Sequence, residues 1–396
     1  MEENKHTEAQ AAENRETASV SHGFPCRSCG NRMVFSPEGQ NLLCPFCRGT
    51  EEIEAPEIEA PEYTFDPASC LSDAPNWEAE GDMVHVCPAC GAETVSDMVE
   101  VTVTCPFCGS HYVTEPKFAT PILRPETMIP HKLSCERANL LFTKWARKRY
   151  FAPRAFRRAA HTPKMQGVYL PYFTYDTDLL TSYRGEGGRR RIVTYTVRVN
   201  GRTQTRTRTV INWYPVAGDR TLYVDDTPFC ASRNIDHKML RKLGGYSTKV
   251  LRVYHPAYLA GFVAERYTLG LGEGFSRIRP GVEARMEGDI RAALGYDTYR
   301  MMQYDHRYRS VTFKHILLPV WLSSYRYRGK VFRFMVNGES GRVAGQAPLS
   351  PLKVALAVLG GLALFALLIF LFALLGGDGA ALLAAPPEAA GLLPNA

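Results

Sequence analysis

The pattern of apolar and polar positions changes character along the chain, most sharply near its end. From Val354 to Leu375 the run VALAVLGGLALFALLIFLFALL carries no charge and no polar face. As a helix, at about 1.5 Å per residue, it is about 33 Å long, enough to cross a hydrocarbon core of about 30 Å. A transmembrane helix over 354–375 is therefore expected. Upstream the pattern is mixed. Ala138, Leu141, Phe142 and Trp145 recur at helical spacing after Ser134, which predicts a helix capped by Ser134 and running to about Tyr150. Gly167–Arg184 is β-branched and aromatic, as strands are. Arg190–Pro215 alternates about Asn200-Gly201, a hairpin signal.

Further on, Lys238–Leu243 and Pro256–Ala264 read as short helices, and Pro280–Leu294 as a longer one with proline in its first turn. Ile316–Tyr327 and Lys330–Val336 form a second hairpin, followed by the turn Asn337-Gly338-Glu339-Ser340-Gly341 and a last short strand. Val168-Tyr169-Leu170-Pro171, leading to Ser182-Tyr183-Arg184, is echoed by Ile316-Leu317-Leu318-Pro319, leading to Ser324-Tyr325-Arg326. The expected fold class is α+β with mostly antiparallel sheet.

Cysteine spacing adds two small modules to that body. Cys26-x2-Cys29 is followed, after fourteen residues, by Cys44-x2-Cys47. Cys87-x2-Cys90 and Cys105-x2-Cys108 repeat the same spacing, each cysteine 61 residues after its counterpart. Two thiolates on one tight turn grip a single ion, and two such turns complete a tetrahedral S4 site. The expectation is two structural Zn2+ sites in zinc ribbons: Cys26, Cys29, Cys44 and Cys47 in one, Cys87, Cys90, Cys105 and Cys108 in the other. The same S4 set also takes iron, although closed S4 ribbons usually hold zinc. A thioredoxin-like pair would need a helix after the motif, whereas Val99–Thr104 alternates like a strand. Cys70, Cys135 and Cys230 are left over as structural thiols.

The domain plan follows. Residues 1–20 are polar and expected to be disordered, 21–50 form ribbon 1, and 51–80 form an acidic linker whose Glu51–Glu62 repeat is expected to be solvated. Residues 81–115 form ribbon 2, 116–350 the α+β cytoplasmic body, 354–375 the membrane helix and 376–396 a short external tail. Lys330, Arg333, Arg342 and Lys353 precede the span and no Lys or Arg follows it. The positive-inside rule then places residues 1–353 in the cytoplasm of a single-pass cell-membrane protein. That compartment keeps thiols reduced and disfavours disulfides.

Charge is unevenly spread. The net +7 combines 16 acidic and 5 basic residues in 1–80 with a strongly basic remainder. Between His131 and Arg208 there are 18 Lys and Arg against 4 Asp and Glu. Such a region fits an anionic lipid surface, a nucleic acid, or the chain's own acidic segment.

Catalytic signatures are missing. The sole Gly-Lys pair, Gly329-Lys330, is followed by Val331 and makes no phosphate-binding loop. H-E-x-x-H and G-x-S-x-G do not occur. Asp225-Asp226 reads as a turn, and His255 and His315 as partly buried imidazoles. No enzyme is expected.

The two ribbons, then Thr143-Lys144-Trp145-Ala146-Arg147-Lys148-Arg149-Tyr150-Phe151-Ala152-Pro153, Gly167–Phe173, Tyr258-Leu259-Ala260-Gly261-Phe262, Leu318–Tyr325 and Val336–Gly345, resemble a bacterial family of TFIIB-type zinc-ribbon membrane proteins. Many members carry labels borrowed from the primosomal replication-restart helicase, and some resemble membrane companions of phage-shock and SPFH-type envelope-stress scaffolds. The resemblance implies an architecture more than a mechanism. The expected role is a non-enzymatic adaptor or assembly component for membrane or membrane-associated proteins. Arg27, Arg32, Arg48, Phe46 and Phe107 are its candidate contacts; a membrane-tethered nucleic-acid-binding protein is the alternative.

Overall fold

The computed structural model describes residues 23–54, 61–72, 76–77, 83–96, 102–113, 117–118, 122–159, 165–247, 250–327 and 330–376. The segment 1–20 and nearly all of the tail 376–396 lie outside them. Ribbon 1 is a three-stranded antiparallel sheet of β1 (Val34–Ser36), β2 (Asn41–Leu43) and β3 (Thr50–Glu51). Next come β4 (Tyr63–Asp66), then the ribbon 2 hairpin of β5 (Met83–Val86) and β6 (Glu93–Ser96), and a second hairpin of β7 (Thr102–Thr104) and β8 (His111–Val113).

The body begins with β9 (Thr127–Met128), followed by α1 (Cys135–Arg147) and α2 (Arg154–Ala159). Ser134 caps α1 by accepting a hydrogen bond from the Arg137 amide, and Ala138, Phe142 and Ala146 are its buried face. Two strands of unusual length follow. β10 (Gln166–Val199) turns at Asn200-Gly201 into β11 (Arg202–Cys230). Both turn residues have positive φ, 52° and 74°, the two-residue geometry that an Asn-Gly pair favours. Beyond lie α3 (His237–Leu243), a short 3-10 turn at Pro256–Leu259, β12 (Val263–Glu265) and α4 (Leu271–Leu294). The chain closes with β13 (Thr298–Tyr327), β14 (Lys330–Asn337), β15 (Val343–Gly345) and α5 (Pro351–Gly376).

β10 and β13 run antiparallel at the centre of the large sheet. Their register makes the sequence echo a structural one. Leu170 stands opposite Leu318, Tyr169 faces Pro319 and Pro171 faces Leu317, a local two-fold arrangement. The neighbours obey it as well. β12 runs parallel to β10 at Val168, and β9 runs parallel to β13 at Ile316, the echo counterpart of Val168. On the other side, β11 joins at Tyr172 and β14 joins at Val320, again counterparts.

Three expectations are corrected here. Pro256–Ala264 is not one α-helix: only Pro256–Leu259 turns, as a 3-10 helix, and Val263 and Ala264 enter β12, held between β10 and β6. Helix α4 starts at Leu271, nine residues before Pro280. Leu271, Phe275, Val282, Met286 and Ile290 form one buried stripe that drives it, while Pro280 sits on the exposed side, where water can serve the carbonyl it leaves free. The stretch 51–80 is not only a linker either. β4 pairs with β13, and Phe65 is 4% exposed, in edge contact with Phe275 and Phe313. Residues 55–60, the centre of the Glu/Pro repeat, lie outside the described set. The flanking acids are engaged: Glu51 with Arg27, and Glu62 with Lys314 at 2.7 Å.

Phe65→Ala is expected to cost about 3 kcal/mol of stability, as removal of a buried aromatic ring does. Denaturant titration reads this, and an unchanged midpoint would return β4 to the linker. A second expectation concerns acid. His131 is buried in a box of Tyr169, Phe262 and Trp321, with its ring 4.5 Å from that of Phe262, and burial pushes its pKa down to about 3. Burial likewise lowers His315 to about 4, although its Nδ1 donates to the Leu123 carbonyl at 2.9 Å. Both stay neutral when folded, while the unfolded chain takes up protons near 6.5, so stability falls as pH drops from about 6.5 towards 4. Glu265, raised to about 7 by burial, acts in the opposite sense between about 4.5 and 7. His131→Phe should therefore flatten the acid limb of a stability-pH profile relative to wild type; an identical profile would contradict this.

Candidate metal centres and their setting

Four knuckles of one design bring the thiols together. In each, the amide of the first cysteine donates to a carbonyl five residues on, and its own carbonyl accepts the amide four residues on: Cys26 with Asn31 and Gly30, Cys44 with Gly49 and Arg48, Cys87 with Ala92 and Gly91, Cys105 with Ser110 and Gly109. The fourth residue on is left-handed every time, with φ of 73° at Gly30, 64° at Arg48, 72° at Gly91 and 70° at Gly109. Glycine takes that conformation freely. Arg48 takes it at a cost of about 1–2 kcal/mol.

The knuckles pair into two clusters. The Sγ atoms of Cys26, Cys29, Cys44 and Cys47 lie within 4.8 Å of one another, as do those of Cys87, Cys90, Cys105 and Cys108. Cys26–Cys47 and Cys29–Cys44 are 3.5 Å apart, Cys87–Cys108 3.7 Å and Cys90–Cys105 3.6 Å. A tetrahedron with Zn–S bonds of about 2.3 Å has edges of about 3.8 Å, close to these separations. All eight thiols are free of disulfides.

Electrostatics within each cluster favours one thiolate and resists the next. The Cys47 amide, with that of Phe46, lowers Cys44 to about 7 against burial. Cys47 itself is pushed up to about 12: the Gly49 amide favours its thiolate, but the sulfurs of Cys26, Cys29 and Cys44 oppose it more strongly. In the second cluster burial raises Cys87, yet the Ser110 hydroxyl and the amides of Ala89 and Cys90 outweigh it and bring the thiol to about 7. Burial raises Cys90 to about 11. Four sulfurs that cannot all ionise alone are completed by a divalent cation, so both clusters are positioned to hold a metal ion.

The two clusters sit differently. Ribbon 1 packs against the loop before β12: the Phe35 amide donates to Ala260, and Cys26, Met33, Leu42 and Cys44 share a small core with Ala257 and Ala260. Ribbon 2 is built into the main core. β6 pairs with β12, while Cys87, Cys105 and Phe107 belong to the same buried cluster as Val168, Leu170, Ile316 and Leu318. Phe107 is 2% exposed and belongs to the same buried cluster as Ile235 and Met239, so it is no surface contact, contrary to the sequence reading. Phe46 is 78% exposed, Arg48 is exposed, and Arg27 pairs with Glu51.

The other candidates resolve as structural groups. Asp225-Asp226 is not a turn after a strand but a bulge within β11, where Asp226 takes φ 45° and its amide donates to Asp176. Lys314 lies 3.7 Å from Asp226, and Asp176 is raised to about 6, mainly by burial. His255 caps the 3-10 turn by accepting from the Ala257 amide. Cys230 is buried, its thiol pushed up to about 12.

At the chain's far end, α5 is long and apolar enough to cross a membrane, and its side chains are exposed. Its root is fixed. Lys353 donates through Nζ to the carbonyls of Tyr150 and Ala152 at 3.0 and 2.6 Å, and the Ser350 amide donates to Phe151. Exposed Tyr150, Phe151, Leu349 and Leu352 surround this joint, with Arg149 lying 4.3 Å over the Trp145 ring.

The molecule is thus an α+β protein with two four-cysteine clusters and one apolar C-terminal helix. It is 28% identical over 340 residues to the uncharacterized protein YdjG of Bacillus subtilis (strain 168), covering 84% of this chain and 92% of the relative. No protein-family profile and no solved structure matches it.

Arg48→Gly should stabilise ribbon 1 by about 1 kcal/mol by removing the left-handed strain. Competition for metal with a colorimetric chelator measures it: the variant is expected to release its first ion more slowly, and faster release would show that the Arg48 side chain supports the knuckle.

Proposed function

We propose that the protein is a non-enzymatic, membrane-anchored zinc-ribbon adaptor or assembly component. Helix α5 spans the membrane, and residues 1–353 lie on the cytoplasmic side, as the lysines and arginines before the span favour. Each cluster holds zinc. Four thiolates close the coordination shell and leave no position for a reacting water, so the metals serve architecture. The observation that carries the reading is the rooting of α5 in the same body that holds the second cluster in its core. This is a rigid platform at a fixed place on the membrane, suited to docking other proteins.

Two surfaces serve that role. On ribbon 1, Phe46 and Arg48 project into solvent and fit a protein partner. At the root of α5, the exposed Lys144, Arg147, Lys148 and Arg154 face an anionic leaflet, where each basic group is worth about 1 kcal/mol. The resemblance to TFIIB-type zinc-ribbon membrane proteins points the same way and names membrane-associated stress scaffolds as the partner class.

Gentle detergent extraction from native membranes, with co-purifying material identified before and after nuclease, tests the reading. Nuclease-resistant membrane or scaffold proteins are expected. A chain that emerges alone would reject the adaptor, and partners that vanish on nuclease treatment would replace it with a nucleic-acid tether.

A further inference from the structure

The β10–β13 pairing ends at Gly188 opposite Thr298, whereas the β10–β11 pairing continues to Val199 opposite Arg202. Arg189–Asn212 therefore leaves the sheet as a free two-stranded ribbon closed by Asn200-Gly201. At about 3.3 Å per residue its eleven-residue strands reach about 36 Å. The segment contains Arg189, Arg190, Arg191, Arg198, Arg202, Arg206 and Arg208, with no Lys, Asp or Glu. All seven arginines are exposed. No ion pair involves any of them among the described residues.

Register sorts these charges. Residues directly opposite share a face, so Arg189, Arg191, Arg202, Arg206 and Arg208 line one side. That side also carries Tyr195, whose ring lies 5.6 Å from the Arg208 guanidinium. The opposite side is mainly threonine: Thr194 faces Thr207 and Thr196 faces Thr205.

The ribbon is rooted firmly. Tyr214 stacks on Tyr296 at 6.0 Å, Arg189 lies 5.4 Å from the Tyr296 ring, and Arg300 lies 4.1 Å over Trp213. Gly187 and Gly188 permit this packing, since a Cβ there would come within 2.4 Å of Tyr296 and 2.6 Å of Ile211. The acids at the root are already used. Asp297 accepts from the Arg190 amide and Glu186 pairs with Arg300.

Position argues against the anchoring leaflet as the target. β10 starts beside α1, where Cys135 contacts the Met165 carbonyl, and reaches Gly188 after about 70 Å of strand. The arm therefore leaves the sheet at the end of β10 away from α1. Composition argues for phosphodiesters: guanidinium grips phosphate in a bidentate way that ammonium cannot, and the arginine face carries no acid to compete. A two-stranded ribbon of this width also fits a duplex major groove.

We propose that Arg189–Asn212 is an arm that binds the phosphate backbone of nucleic acid without reading its sequence. This goes beyond the adaptor role and does not depend on it. Five arginines on one face predict a salt dependence of log K near −4.5 for duplex DNA, a loss of several hundred-fold between about 50 and 200 mM salt.

The test uses the full chain in nanodiscs of neutral phosphatidylcholine, titrated against a fluorescent 30-base-pair duplex and a 30-nucleotide RNA. Replacing Arg191, Arg202, Arg206 and Arg208 by Gln should weaken duplex binding at 50 mM salt at least about 100-fold and bring the slope near −1. The matched variant Lys144→Gln, Arg147→Gln, Lys148→Gln should stay within about twofold of wild type, and both variants should melt like wild type because all these side chains are exposed. Equal duplex affinity in wild type and arm variant would overturn the proposal, as would no binding at 50 mM salt. So would a wild-type chain that ignores both nucleic acids yet needs the arm to hold a second, phosphatidylglycerol-containing vesicle; the arm would then be a lipid-binding element.

Discussion

The antiparallel pairing of β10 with β13 is the contact on which the rest of the molecule depends. Through β10 the sheet reaches β12 and, beyond it, the second metal-binding ribbon. Through β13 it recruits β4, which converts part of an acidic linker into core. Helix α4 lies over both strands, and the free arm is what remains when β11 outruns β13. Leu170 and Leu318, opposite one another and fully buried, mark the centre of this arrangement and the axis of its internal symmetry. A change there would reach the ribbons, the root of α5 and the arm together, because none has an independent core of comparable size.

Charge is handled in two contrasting ways. In the clusters, sulfurs only 3.5–3.7 Å apart oppose one another's ionisation until a cation joins them. Both clusters are thereby positioned for a metal ion, and the cysteines of the second share a core with the central strands. The arginines of the arm have the opposite status. They remain solvated at little cost and are available to a polyanion. One end of the sheet is thus tied to the apolar helix and the other presents cationic side chains away from it.

Local chemistry was legible in the sequence, and long-range packing was not. Cysteine spacing disclosed both clusters because a knuckle is closed by hydrogen bonds among neighbours. Ser134 and Asn200-Gly201 disclosed a helix start and a turn for the same reason. The start of α4 was hidden by Gly272 and Gly274, poor helix formers that serve here as contact points; a Cβ on Gly274 would strike Tyr175 and Phe229. The extent of β10 and β13 was hidden because their outer halves are polar and are held by partner strands rather than by their own periodicity. The burial of Phe65 and Phe107 comes from residues far along the chain, which their own surroundings in the sequence do not show. Arg48 in a glycine position was visible only as a looser motif; the structure shows the knuckle intact with its strain retained.

The central claim is that two closed four-thiolate zinc sites are integral to a body anchored by α5. Elemental analysis of the full chain, extracted from native membranes in mild detergent and freed of loosely bound ions, tests it most directly. The account predicts two zinc ions per chain. One ion per chain, none, or iron in their place would contradict it.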